Sequence, residues 1–217
     1  MIEILKRGWF VRSLAVAATM LSLAACNSDD GDDSPDFDYG DNDVGTVLCL
    51  GDSITEGECA AAGAPYPSRL AGLSGKRTIN QGACGEKSDG GASRAGSLLN
   101  RFSPGTICVL YGANDALFGY STDFVIGNLR SIIGQAKANK TRVLLATCLP
   151  TYDSHAFADG QIKKYNDAIR NLAKEEGVTL VDLGKEFGSD RSLMQADGLH
   201  PSDSGTQLMA LAFNDEL

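Results

Sequence analysis

Histidine is scarce in this 217-residue chain, with two copies, and no Cys-x-x-Cys pair occurs, so no zinc cage can be read from it. No apolar run approaches the roughly 20 residues of a membrane-spanning helix, which excludes a multi-span membrane protein. Basic residues are outnumbered 28 to 19, for a net charge of −9. Phosphate-backbone binding needs basic patches, so no nucleic-acid partner is expected. Neither Gly-x-Gly-x-x-Gly nor the Gly-x-x-x-x-Gly-Lys-Ser/Thr phosphate loop is present, and no cofactor is implied. What remains is ordinary for a globular domain: 43% hydrophobic and 22% charged residues, in a length that can bury one core.

The charge is uneven. Lys6, Arg7 and Arg12 precede an uncharged apolar stretch, Ser13 to Ala25, too short to span a bilayer and shaped like the core of a signal peptide. It ends in Leu23-Ala24-Ala25-Cys26, which resembles the lipobox of bacterial lipoproteins. The resemblance implies a signal peptide over 1–25, acylation of Cys26, and a lipid-anchored place in the bacterial cell envelope, at the outer membrane or the periplasmic face. Residues 27–43 then carry eight Asp and no Lys or Arg. Asp repels Asp, and Gly, Ser and Pro build no core, so residues 26–43 are expected to form an extended, solvated tether. The folded part, 44–217, is close to neutral.

From there strands and helices alternate. Val44–Leu50, Thr106–Tyr111, Arg142–Cys148 and Val178–Leu183 are apolar runs, with a weaker strand at Arg77–Asn80. Runs without polar alternation predict strands buried on both faces of a parallel sheet. Val125, Leu129, Ile132, Ile133 and Ala136 keep one helical face, with Ser121 or Thr122 placed to cap it. Ile162, Tyr165, Ile169, Leu172 and Ala173 keep another, closed by Gly177, and Ser202 to about Phe213 reads as a last helix. The rhythm predicts a three-layer α/β/α sandwich with a five-stranded parallel sheet and ligands beyond the carboxyl ends of its strands.

Four short blocks stand just there: Gly51-Asp52-Ser53-Ile54-Thr55, Asn80-Gln81-Gly82, Gly112-Ala113-Asn114-Asp115, and Asp197-Gly198-Leu199-His200-Pro201-Ser202. In order and together they resemble the GDSL, or SGNH, hydrolase superfamily, over essentially residues 44–217. The resemblance implies a flavodoxin-like fold and a serine hydrolase in which Ser53 is the nucleophile, His200 the base and Asp197 its partner. It also implies an oxyanion hole made by the Ser53 N–H, the Gly82 N–H and the Asn114 amide.

The residues support these roles on their own terms. Serine needs an adjacent base, and a helix start favours developing negative charge. An Asp three residues before a His can hold one ring nitrogen and leave the other facing the serine. Asp52 and Asp115 read as loop-organising hydrogen bonders, and His155 as lining the site or simply exposed. Cys59 and Cys84 fall in loops at one edge of the sheet, where a disulfide and two free thiols are both open readings.

The expected activity is cleavage of short-to-medium acyl esters, thioesters or lysolipids by a monomer, with the membrane engaged through Cys26. The alternatives are a polysaccharide O-deacetylase and a non-catalytic binding lipoprotein. Short loops after Asn114 and Pro150 predict a shallow crevice, unless Phe118, Tyr120, Tyr152 and Phe157 line a longer apolar groove.

Overall fold

In a computed structural model the protein is described over residues 37–57 and 63–217. The expected signal peptide, Cys26, the tether as far as 36, and Cys59 lie outside the described residues. Among the described residues, no helix is long and apolar enough to cross a membrane.

Five strands, β1 (Asp43–Gly51), β2 (Arg77–Gly82), β3 (Pro104–Leu110), β4 (Arg142–Ala146) and β5 (Thr179–Val181), form one parallel sheet in the order β2-β1-β3-β4-β5. The apolar runs read as strands because both faces are covered. Leu48, Leu50, Ile107, Val109, Val143 and Leu145 point to one face, under helices α3 (Ser88–Phe102), α5 (Thr122–Ala138) and α6 (Asp159–Glu176). Val47, Cys49, Cys108, Leu110, Leu144 and Ala146 point to the other, under α2 (Tyr66–Ser74), α7 (Leu183–Phe187) and α8 (Asp203–Asn214). A fully buried aliphatic side chain contributes about 1.5–3 kcal/mol, so alternate residues of one strand hold two layers in place.

The caps follow the sequence. The Ser121 side chain accepts from the Phe124 N–H, Ser202 accepts from the Gly205 N–H, and Gly177 closes α6 in the left-handed conformation with φ 59°. Helix α3 is less obvious. Gly90, Gly91 and Gly96 interrupt it, and each helical glycine costs about 1 kcal/mol against alanine. At Gly91 a Cβ would collide with the Tyr111 ring, and at Gly90 it would crowd the Glu86 side chain, so both glycines are set by neighbours outside the helix.

The expectation of a solvated tether through residue 43 needs correction at its end. Asp43 is already in β1, and the Asn42 amide donates to the carbonyls of Asn139 and Lys140 at 2.7 and 3.0 Å. Asp38 pairs with Lys140 at 2.6 Å. The α5–β4 turn leaves carbonyls open at a helix end, and the Asn42 amide satisfies two of them.

Sheet order decides where the site lies. From β1 the chain runs to β2 on one side, then returns to place β3 on the other. The carboxyl ends of β1 and β3 therefore part, and a crevice opens between them.

Candidate active site

At the end of β1 the backbone turns directly into α1 (Ser53–Glu56). The Asp52 side chain caps this short helix, accepting the Ile54 N–H at 2.9 Å. Ser53 is the first helical residue, and its Oγ lies 3.1 Å from Nε2 of His200. His200 Nδ1 lies 2.6 Å from Oδ2 of Asp197, whose other oxygen accepts the N–H groups of Leu199 and His200 at 2.9 and 3.1 Å. A carboxylate only accepts, so Nδ1 carries the proton and Nε2 is left to accept from Ser53. Partial burial opposes ionisation of Asp197, but the bonds from the His200 ring and from the two N–H groups outweigh it and hold the carboxyl below its usual range.

The segment bearing Asp197 and His200 is fixed by bonds within itself and from the loop after β4. Met194 and Pro201 form an isolated antiparallel bridge, the Gln195 N–H donates to the His200 carbonyl at 2.8 Å, and the Tyr152 N–H donates to the Gly198 carbonyl at 2.8 Å. Gly198 has φ 72°, and a Cβ there would overlap the Tyr152 carbonyl. His155 sits against this segment, its Nδ1 donating to the Asp197 carbonyl at 2.8 Å. It is a brace on the segment, a role its isolated place in sequence did not signal.

Asn114 is the second residue of α4 (Ala113–Leu117), a short helix two residues beyond β3, and is buried. Its amide nitrogen donates to the Glu86 carbonyl at 3.0 Å and has a long contact of 3.4 Å to Asp52 Oδ2. One of its hydrogens is thus anchored and the other weakly held. Asp52 is fully buried. Loss of solvation, helped by the charges of Asp115 and Glu86 and opposed by the Ile54 N–H, pushes its pKa up to about 7. Asp115 receives the N–H and the hydroxyl of Ser88 at 3.0 and 2.7 Å and ties α4 to the start of α3; burial raises its pKa too.

Gly82 does not fit the role read from sequence. Its N–H donates to the Asn80 side chain at 2.9 Å, and a Cβ there would collide with the backbone of α1 at Glu56. The glycine is required by close packing and its donor is occupied. Three residues on, Gly85 has φ 72°, an open Cβ position, and an N–H with no hydrogen-bond partner among the described residues. It directly precedes Glu86, whose carbonyl holds Asn114. The structure thus links Ser53, His200 and Asp197, sets Asn114 beside Asp52, and turns Gly82 to packing.

Of the four loop aromatics, two are part of the scaffold: Tyr120 stacks on Phe124 with centroids 4.7 Å apart, and Tyr152 lies under Arg191 at 5.5 Å. Phe118 and Phe157 are 72% and 71% exposed. Cys84 is exposed. Among the described residues, no group of three or more His, Cys, Asp or Glu could hold a metal ion.

Comparison with known proteins gives a consistent result. The model of the GDSL-like Lipase/Acylhydrolase family matches residues 49–208. Thioesterase 1/protease 1/lysophospholipase L1 of Escherichia coli K12 is 30% identical over 173 residues, covering 76% of this chain and 79% of that protein. Esterase TesA of Pseudomonas aeruginosa is 30% identical over 168 residues, covering 72% and 80%. Among solved structures, a GDSL-like lipase from Bacteroides thetaiotaomicron superposes with a TM-score of 0.67 at 24% identity, over 79% of this chain and 86% of that one. The aryl esterase of M. smegmatis superposes at 0.70 and 18% identity, over 79% and 97%.

Proposed function

The chain belongs to the GDSL-like lipase/acylhydrolase family, a family of hydrolases, and from that premise we propose that it is a serine esterase working through an acyl-enzyme on Ser53. The observation that carries this reading is the unbroken hydrogen-bond chain from Ser53 Oγ through the His200 ring to Asp197, with steps of 3.1 and 2.6 Å. Ser53 Oγ attacks the ester carbonyl carbon as His200 Nε2 takes its proton. Asp197 steadies the imidazolium and fixes its tautomer. Negative charge on the former carbonyl oxygen meets the Ser53 N–H, the Asn114 amide and the Gly85 N–H, which takes the place sequence gave to Gly82. His200 then protonates the leaving alcohol. Water, activated by the same nitrogen, attacks the acyl-Ser53 carbonyl, releasing the acid and restoring the serine hydroxyl.

The substrates we assign are short-to-medium acyl esters. The thioesterase, lysophospholipase and esterase names of the relatives extend the class to thioesters and lysolipids. In the same reading, Cys26 is a lipid anchor. Its test is that Cys26→Ser abolishes detergent partitioning.

The decisive experiment labels the protein with a fluorophosphonate and screens p-nitrophenyl esters from acetyl to palmitoyl, acyl thioesters, lysolipids and acetylated sugars. Labelling at Ser53, with kcat/KM rising to butyryl or hexanoyl and then falling, is expected. Absence of both labelling and hydrolysis overturns the esterase reading. Turnover of acetylated sugars alone replaces it with O-deacetylation.

A further inference from the structure

One side chain touches the ends of the three strands that lead to Ser53, Gly85 and Asn114. Arg94, on α3, places Nη2 at 3.3 Å from the Gly51 carbonyl of β1, 2.6 Å from the Gln81 carbonyl of β2, and 3.0 Å from the hydroxyl of Tyr111, the residue after β3. The same guanidinium meets Glu86, with Nε at 2.9 Å and Nη2 at 2.6 Å from its two oxygens. Tyr111 donates to Glu86 at 2.5 Å, and the Glu86 backbone carbonyl holds the Asn114 amide. Burial and the neighbouring Glu86 raise the Tyr111 phenol well above its ordinary value, so it keeps its proton and stays a donor.

The cluster is mostly buried, with the Arg94 and Glu86 side chains 24% and 17% exposed. Such an ion pair is weak evidence for stability, because desolvation offsets the attraction. Space for it comes from Gly90 and Gly91, which weaken α3 and let Glu86 and Tyr111 approach. An arrangement with these costs, centred on the ends that bear Ser53 and Asn114, fits a geometric task better than a stabilising one.

We propose that Arg94 is a positioning residue: its guanidinium ties the ends of β1, β2 and β3 and the 83–87 turn to one another, and so sets the spacing of the Ser53, Gly85 and Asn114 donors. The proposal rests on the serine-esterase reading for its kinetic consequence, and on geometry alone for its structural one. Displacing catalytic groups by about 1 Å can cost about 10²-fold in rate.

The test uses Arg94→Ala and Arg94→Lys in the full chain, with Arg101→Ala on the same helix as control. Three quantities are read: kcat and KM on p-nitrophenyl butyrate, the side-chain amide NMR signal of Asn114, and recovery of Arg94→Ala by millimolar guanidinium against equimolar urea. Expected for Arg94→Ala are a fall in kcat of about 10²-fold with KM within about twofold, a displaced Asn114 signal, and partial rescue by guanidinium only. Arg94→Lys should recover little, because a point charge cannot reproduce a planar fork. Loss of thermal stability with an unmoved Asn114 signal and no rescue would overturn the proposal. Should Arg94→Ala not fold, Arg94→Lys carries the rate and Asn114 readouts. If the wild type neither hydrolyses esters nor takes up fluorophosphonate, the esterase reading falls, and the Asn114 signal still decides the positioning role.

Discussion

Ser53 and His200, the proposed nucleophile and base, are held by different kinds of structure. Ser53 follows a strand whose last apolar residues are fully buried, and it is itself buried at 6% exposure, as are Asp52 at 0% and Asn114 at 8%. Asp197 and His200 sit on a loop, with side chains 39% and 13% exposed, fixed by a bridge, by the hydrogen bonds of Gln195 and Tyr152, and by the His155 brace. The sheet and its core place one half of the site, whereas a hydrogen-bonded loop, anchored in the core by Met194 and Leu199, places the other. The first half should therefore resist perturbation until the fold itself yields, and the second should respond to local change while the fold stands.

The largest effect separates chemistry from folding. Ser53→Ala should reduce ester turnover by about 10³-fold or more with an unchanged melting curve. Near-normal turnover by the folded variant would sink the mechanism. Next, Asn114→Ala should lower kcat by about 10²–10³ while leaving KM nearly constant, because the lost bond strengthens only in the transition state. A change confined to KM would move Asn114 from the oxyanion hole to ground-state binding.

The third prediction probes the buried half by pH. Burial raises the Asp52 pKa to about 7 from an ordinary 3.8, so the folded state favours the protonated form. Its contribution to stability is full below the unfolded value and is lost as pH rises through the folded one. Wild type should lose about 3 kcal/mol relative to Asp52→Asn between about pH 5 and pH 8 in urea unfolding. A difference that stays flat with pH would show that Asp52 is ionised throughout.

The smallest effect should fall on the surface half. Gly198→Ala forces a left-handed alanine, at about 1–2 kcal/mol, and its Cβ pushes the segment off the Tyr152 carbonyl. Rate should drop about tenfold as His200 shifts, while the domain stays folded. An equal loss of stability and rate in both halves would erase the contrast between them.

Much of this was legible in sequence, for identifiable reasons. The runs Val44–Leu50 and Thr106–Tyr111 marked two strands because no charged residue interrupts them, and the blocks after them put Ser53 and Asn114 at the sheet's carboxyl edge. Asp197 and His200 were legible because their partnership is local. The donors were harder. Which of Gly82 and Gly85 keeps a free N–H depends on the Asn80 side chain folding back, and no spacing rule encodes that. Helix α3 escaped notice because its glycines answer to Tyr111 and Glu86, not to helical periodicity. The clasp of Asn42 on Asn139 and Lys140 joins segments 97 and 98 residues apart, beyond any local pattern.

That clasp gives the domain a handle with a direction. Strand β1 runs nine residues from Asp43 to Gly51, about 30 Å at the usual rise, and carries the chain from the amino edge of the sheet to the catalytic edge. Asn42 and Asp38 secure the upstream chain at the first of these edges. The described chain therefore enters at one rim of the sheet and brings Ser53 to the opposite one, so the length of a single strand separates the point of entry from the crevice.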